Sequence, residues 1–153
     1  MSNALVRKAL ETRLNAMAPG LATAWQNHVF KPTPGAPYQQ VHLLFAPPEN
    51  PAYGTYYREV GVFQVSLMYP QGSGPDAADT RAQAIRDWFA RGTTIHAFPA
   101  GPAMVLDFLT QTYQVDPGID VIIQRTPAIA DGYMDGDRWR VPISIPFFAS
   151  VNA

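Results

Sequence analysis

The chain has 153 residues, 47% of them hydrophobic and 15% charged, which suffices for one globular domain over residues 1–153 and is cramped for two. Eleven Lys and Arg against twelve Asp and Glu leave a net charge of -1, too little positive field for a partner recognised through phosphates, so no sequence-specific nucleic-acid binding is expected. The absence of cysteine removes disulfides, thiolate nucleophiles, iron–sulfur clusters and cysteine-based zinc sites.

The first predicted element is a helix over residues 3–17. Val6, Leu10, Leu14 and Met17 recur at helical spacing with Leu5 and Ala9 beside them, while Arg7, Lys8, Glu11, Thr12 and Asn15 take the other face. Ser2 is placed to cap it, and Pro19-Gly20 cannot continue it. Arg7, Lys8 and Glu11 stand where a secretory leader needs its apolar region, so the start reads as unprocessed. Residues 23–30 and 41–45 read as strands. The clearest strand is 61–69, where Phe63, Val65, Leu67 and Tyr69 alternate with Val62, Gln64, Ser66 and Met68, a second face that is only half polar.

A second helix follows, with Asp76 as N-cap, Asp79 three residues on, Ala78, Ala82, Ile85 and Phe89 as its buried stripe, and Gly92 as a left-handed C-cap after Arg91. Residues 104–115 fit a strand or a short helix equally well, since Val105, Phe108, Leu109 and Thr112 also make a helical face. Residues 121–126 read as a strand. In the last strand Trp139, Val141, Ile143, Ile145 and Phe147 alternate with Arg140, Pro142, Ser144, Pro146 and Phe148. Both prolines share parity, so both missing amide donors fall on one side, which predicts a sheet edge or a bulge. No run reaches the roughly 18 apolar residues of a spanning helix, so a soluble protein without membrane contact is expected.

Fifteen prolines and eleven glycines gather in long loops at 31–37, 47–58 and 126–137. The second holds Tyr53, Tyr56 and Tyr57 with Arg58, residue types that anchor contacts. The third holds Tyr133 and Met134 with Asp131, Asp135 and Asp137, and opposite charge suggests Arg58 with Asp131 or Asp135 as a pair between subunits. The outward face of the second helix, around Arg81 and Arg86, is the alternative contact surface.

Catalytic chemistry finds no support. His28, His42 and His96 have no metal-ligand spacing. The Asp131, Asp135, Asp137 cluster lacks the ligand pattern of a calcium loop and reads as a hairpin-like turn feeding the last strand. Gly72-Ser73-Gly74-Pro75 lacks the Lys-Ser/Thr of a phosphate loop, and Asp76 and Asp79 would repel phosphate. No serine sits in a nucleophile elbow, and Glu59 has no neighbouring carboxylate. Among Trp25, Trp88 and Trp139, Trp88 lies next to the buried helical stripe and is expected in the core. No enzyme, metal or cofactor is expected.

Taken in order, the elements resemble the phage tail terminator-like family of the lambda minor tail protein U class. The resemblance rests on the N-terminal helix followed by Thr23-Ala24-Trp25-Gln26-Asn27; on Pro37-Tyr38-Gln39 and Leu44-Phe45-Ala46-Pro47; on the strand from Gly61 to Leu67 with Tyr69-Pro70 and Gly72; on Arg81, Ala82, Ile85 and Phe89 with Arg91-Gly92-Thr93; and on Asp137-Arg138 with Val141-Pro142-Ile143. It covers nearly the whole chain, with 97–118 longer and more apolar than the class. It implies an α+β domain, a mainly antiparallel sheet with two helices packed against it. It further implies a structural subunit that self-associates into a ring, usually a hexamer, caps the tail tube, stops tube polymerisation and offers the head-joining surface. The implied partners are the tail tube protein and the head connector protein, in a virion assembled in the host cytoplasm. The alternative reading is a head–tail joining or neck protein; a small-molecule enzyme or binding module would instead show polar groups converging in a deep apolar pocket.

Overall fold

Two strands of fifteen residues dominate the sheet, and buried and half-buried side chains alternate along the middle of each. The computed structural model describes residues 2–98, 104–107, 109–115 and 118–152. In chain order the elements are α1 (Ser2–Asn15), β1 (Ala22–Ala24), β2 (Tyr38–Phe45), β3 (Tyr56–Pro70), α2 (Asp76–Trp88), β4 (Thr94–Ala97), β5 (Met104–Asp107), β6 (Thr112–Val115), β7 (Ile119–Ile123), β8 (Ala128–Ile129), β9 (Tyr133–Asp135) and β10 (Arg138–Asn152). The main sheet runs β1-β2-β3-β10-β7-β4, with β8 and β9 also paired to β10; β5 and β6 form a separate two-stranded sheet. Within the main sheet β1 lies parallel to β2, and the other pairs are antiparallel.

The odd-numbered face is the core face. Phe63, Val65 and Leu67 of β3, Val141, Ile143, Ile145 and Phe147 of β10, Val41 and Leu43 of β2 and Val121 and Ile123 of β7 are buried together with Val6, Leu10 and Leu14 of α1 and Ala78, Ala82 and Ile85 of α2. Phe89, just past α2, meets Phe63 at 6.1 Å between ring centres. Both helices thus cover the same face, and the fold is α+β. The helices also lock to each other: Arg13 Nη2 donates to the Trp88 carbonyl at 2.8 Å, and Trp88 Nε1 donates to the Arg13 carbonyl at 2.7 Å. Trp88 is only partly buried, packed against the core rather than enclosed by it.

Several elements differ from the sequence expectation for identifiable reasons. The last strand is central, not an edge: β3 pairs with all of β10, from Arg138 opposite Pro70 to Asn152 opposite Tyr56. The prolines do act on one side, as their shared parity requires. On that side β10 meets three short strands, at 138–140, 143–144 and 147–149, and Pro142 and Pro146 fall in the intervals between them. Their carbonyls still accept, from the Ala130 and Gln124 amides at 2.9 Å each.

The strand expected at 23–30 stops at Ala24, since Asn27 has φ of 61° and the chain turns with His28 N–H donating to the Trp25 carbonyl. Gln26 takes over the strand's role, its Oε1 accepting from the Leu43 amide and from Arg7 Nη1, each at 3.0 Å. The ambiguous segment 104–115 is a β-hairpin, with Phe108 outside the described residues. Helix α1 ends at Asn15, two residues short of the expected 17, and the Ser2 side chain lies outside the described residues.

Both expected caps of α2 move. Pro75 is the N-cap, with no side-chain capping bond, and Asp76 stands inside the first turn with Asp79, where carboxylates favour the positive end of the helix. The C-cap is Phe89. Gly92 does adopt positive φ, 85°, but its task is to steer the chain onto β7: its amide donates to the Ile123 carbonyl, and Ile123 N–H returns to the Thr93 carbonyl.

Candidate assembly surfaces

The antiparallel β3–β10 ribbon sets the distance between the two groups of candidate contact residues expected in loops. Arg58 lies opposite Ser150 and Asp135 lies opposite Arg138, so twelve residues of β10 separate the two groups, about 40 Å along a strand at roughly 3.3 Å per residue. The two predicted contact regions therefore occupy opposite ends of the molecule. Arg58 meets neither Asp131 nor Asp135 within one chain.

At the first end Tyr53 projects fully into solvent, 107% exposed relative to its reference. Tyr56, Tyr57 and Arg58, read as loop, belong to β3, because their backbones pair with 150–152 of β10 and the Arg58 and Glu49 backbones exchange both hydrogen bonds at 2.8 and 2.9 Å. Tyr56 Oη and Ser150 Oγ are 3.0 Å apart. That bond, with help from Arg58, draws the Tyr56 hydroxyl below its ordinary value. The Arg58 guanidinium lies 4.9 Å over the Phe148 ring, a cation–π contact that fixes the arginine against the strand.

At the second end the expected hairpin turn is present, Gly136-Asp137 linking β9 to β10 with Gly136 at φ of 63°. Tyr133 and Met134 are about half exposed, and Asp131 and Asp137 face solvent. Asp135 already has a partner: Arg140 Nη1 donates to its Oδ2 at 2.9 Å while Nη2 donates to Ser66 Oγ at 3.2 Å. Met134 and Trp139, with Pro70, Gly72, Gly74 and Pro75, line an open apolar hollow of about 280 Å³. With Asp76 and Asp79 on the adjoining start of α2, this end carries excess negative charge.

On the second helix, one of the two expected contact residues is buried. Arg81 is 8% exposed; Nη1 donates to the Pro19 carbonyl at 2.6 Å and Nη2 to Gln39 Oε1 at 3.3 Å. Burial lowers its pKa from the usual guanidinium value, partly offset by Tyr69. The spacing Ala78, Arg81, Ala82, Ile85 places it on the apolar stripe itself, so position alone signalled burial. Arg86 is partly buried and donates from Nε to the Pro127 carbonyl at 3.0 Å, holding the chain before β8.

His96 Nδ1 meets Asp120 Oδ1 across β4 and β7. His28 and His42 line a hollow beside Trp25, Phe30 and Tyr38, and among the described residues no three His, Cys, Asp or Glu gather as a metal site. No helix among those residues is long and apolar enough to cross a membrane.

One surface escaped the sequence reading, although the half-polar second face of β3 was its signal. On the even-numbered side Leu44, Val62 and Pro146 align across β2, β3 and β10, and Val60, Phe148 and Ile122 align across β3, β10 and β7. Leu44 is 54% exposed, and the other five are half-buried.

Among known proteins, a family model described as Phage tail terminator protein matches residues 5–147. A solved structure 24% identical in sequence superposes with a TM-score of 0.72, over 100% of this chain and 99% of the other, a likeness of fold. No curated protein matches.

Proposed function

Because the chain belongs to the phage tail terminator family, a family of structural tail proteins of the virion that work with tail and head components, we infer that it is the subunit of a ring ending the tail tube. In this reading six copies close side to side, one ring face seats on the finished tube and blocks further tube subunits, and the other receives the head connector. Assembly takes place in the host cytoplasm. The family match over 143 consecutive residues, 5–147, carries the reading. The ribbon supports it: a ring with two jobs needs two unlike faces, and the ends of β3–β10 differ in chemistry. One presents Tyr53, Tyr56, Tyr57 and Arg58; the other presents Asp131, Tyr133, Met134 and Asp135.

The test is tube growth. Purified tube protein polymerising in the presence of this protein should yield tubes of arrested length with a ring visible at one end by electron microscopy. Unchanged growth together with tight binding to isolated connectors would instead identify a neck protein. Unchanged growth without either partner would end the proposal.

A further inference from the structure

The hollow at the Asp131 end of the ribbon is shaped by backbone before anything enters it. Pro70, Gly72, Gly74 and Pro75 line it from the end of β3 and the turn before α2, and Met134 of β9 and Trp139 of β10 line it from the sheet, around about 280 Å³. Both sides are braced. Ser73 Oγ donates to the Pro70 carbonyl at 2.9 Å, and a Cβ at Gly132 would stand 2.3 Å from the Trp139 ring, so the backbone there lies directly against the indole. No charged side chain lines the space, which has room for one large apolar side chain. A preformed apolar recess that takes a single anchor is how the centre of a protein contact is built.

Carboxylates lie beside it without cations to match. Asp76 and Asp79 follow Pro75 in the first turn of α2, Asp131 and Asp137 flank Met134 in the chain, and all four are exposed. Of the other charged groups on these elements, Asp135 is held by Arg140, and Arg138 is buried with its guanidinium on the Thr33 and Ala36 carbonyls. Asp76, Asp79, Asp131 and Asp137 have no ion pair among the described residues. The positive end of α2 favours the first two but has no bearing on Asp131 and Asp137, which lie outside the helix. The exposed cations Arg91 and Arg125 are elsewhere. The Gly92 amide on Ile123 and the Gln124 amide on Pro146 place them near position 146 of β10, eight residues from Arg138 and about 26 Å along the strand.

We propose that this hollow is the socket for a positively charged segment of the head connector that carries one large apolar side chain. The side chain fills the space beside Met134 and Trp139, and its Lys or Arg neighbours meet the four carboxylates. This assignment rests on the ring reading above and adds which surface receives the connector and what the connector must bring. A second copy does not supply the cations. With the ribbon ends on the two ring faces, rotation about the ring axis puts equivalent ends of all subunits on one face, so each socket has acidic neighbours while Arg91 and Arg125 stay about 26 Å away along the strands. The repeated carboxylates make one face negative. Such a field draws a basic partner in from a distance, and the preformed socket fixes its register, which suits the partner that arrives at a ring already seated on its tube.

The affinity of the full-length protein, assembled as a ring, for purified connector at low and at high salt tests both halves of the contact. Wild-type binding should weaken steeply as salt rises. Asp131→Asn combined with Asp137→Asn should weaken binding about tenfold at low salt and flatten that salt dependence. Met134→Ser should instead weaken it about tenfold at every salt and leave the slope unchanged. All three positions are exposed, and an unchanged thermal midpoint of each variant checks the fold. Wild-type affinity in both variants, or wild-type binding that ignores salt, overturns the proposal. Loss of ring formation in the variants also overturns it, by placing the socket between copies, as does loss of tube arrest with connector binding intact, by placing it on the tube; both leave the ring reading standing. A wild-type chain that neither forms rings nor stops tube growth removes the ring reading and the socket with it.

Discussion

Glycine at two positions answers to two different constraints, and alanine separates them. A Cβ on Gly92 would meet nothing within 4 Å, but φ there is 85°, so Gly92→Ala carries only backbone strain, about 1–2 kcal/mol. A Cβ on Gly61 would stand 2.3 Å from the Leu44 carbonyl oxygen and 2.9 Å from Phe147 Cζ, contacts that require β2 to move off β3. Gly61→Ala is therefore expected to be the more destabilising, about 2–3 kcal/mol or beyond, in urea unfolding of the two variants side by side. Arg81 offers a third case. Arg81→Met strips charge-assisted bonds from the Pro19 carbonyl and Gln39 and should cost about 2–3 kcal/mol. The material that still folds should assemble as well as wild type, because the side chain is buried.

Tyr69 adds a pH dependence. Burial raises its pKa above the ordinary 10.0, with Arg81 opposing. The folded state thus favours the neutral phenol, so this contribution is complete below the unfolded-state value and is lost as pH rises through the higher folded one. The wild-type thermal midpoint should fall from pH 10 upward, and Tyr69→Phe should make that fall shallower. An identical slope in the variant would assign the alkaline loss to other groups.

Among the elements, legibility followed locality. The stripes of α1 and α2 and the alternation of β3 and β10 were readable because a period of 3.6 or 2 is imprinted on neighbouring residues. What failed was the inference from a one-sided defect to a sheet edge. Pro142 and Pro146 remove donors on one side only, and an interrupted set of partners fits such a strand as well as no partner does; that choice is made by 119–135, not by β10. The same reasoning explains the short β1, whose expected ladder is replaced by one Gln26 side chain. Hydrogen exchange should reproduce this ranking. Amides of the β3–β10 ribbon should exchange most slowly and those of β5–β6 in the unassembled subunit among the fastest; equal protection in both would contradict it.

At the scale of the whole molecule, the sequence proposes contact residues by type and leaves their placement open. Tyr and Arg in a proline-rich stretch pointed to the Tyr53 end, yet sequence distance gave no hint that Arg58 and Asp135 sit about 40 Å apart, since that separation comes from the register of two strands joined late in the chain. Arg81 was misplaced for the opposite reason, a charged residue being assigned outward against its helical position. Tyr53→Ala combined with Tyr56→Ala is expected to leave the thermal midpoint within about 1 °C per few tenths of a kcal/mol lost while tail completion fails. Normal tail lengths from this variant would remove that end of the ribbon from the capping contact.

The pairing of β3 with β10 also dictates how the polypeptide reaches this shape. Tyr56 must find Asn152 and Pro70 must find Arg138, so the strand at the centre of the sheet is the last one made, and its partner waits through nearly seventy intervening residues at the near end. Loop closure over such separations is entropically costly and slow. Until β10 arrives, β3 and β7 have open edges and exposed apolar faces, the features that draw unfinished chains into aggregates. Once β10 has arrived, its proline intervals limit the template it offers on its other side. By denying a continuous ladder on one side of β10, they leave a stray strand no long template to extend, while the native short strands need only local pairing to finish the sheet.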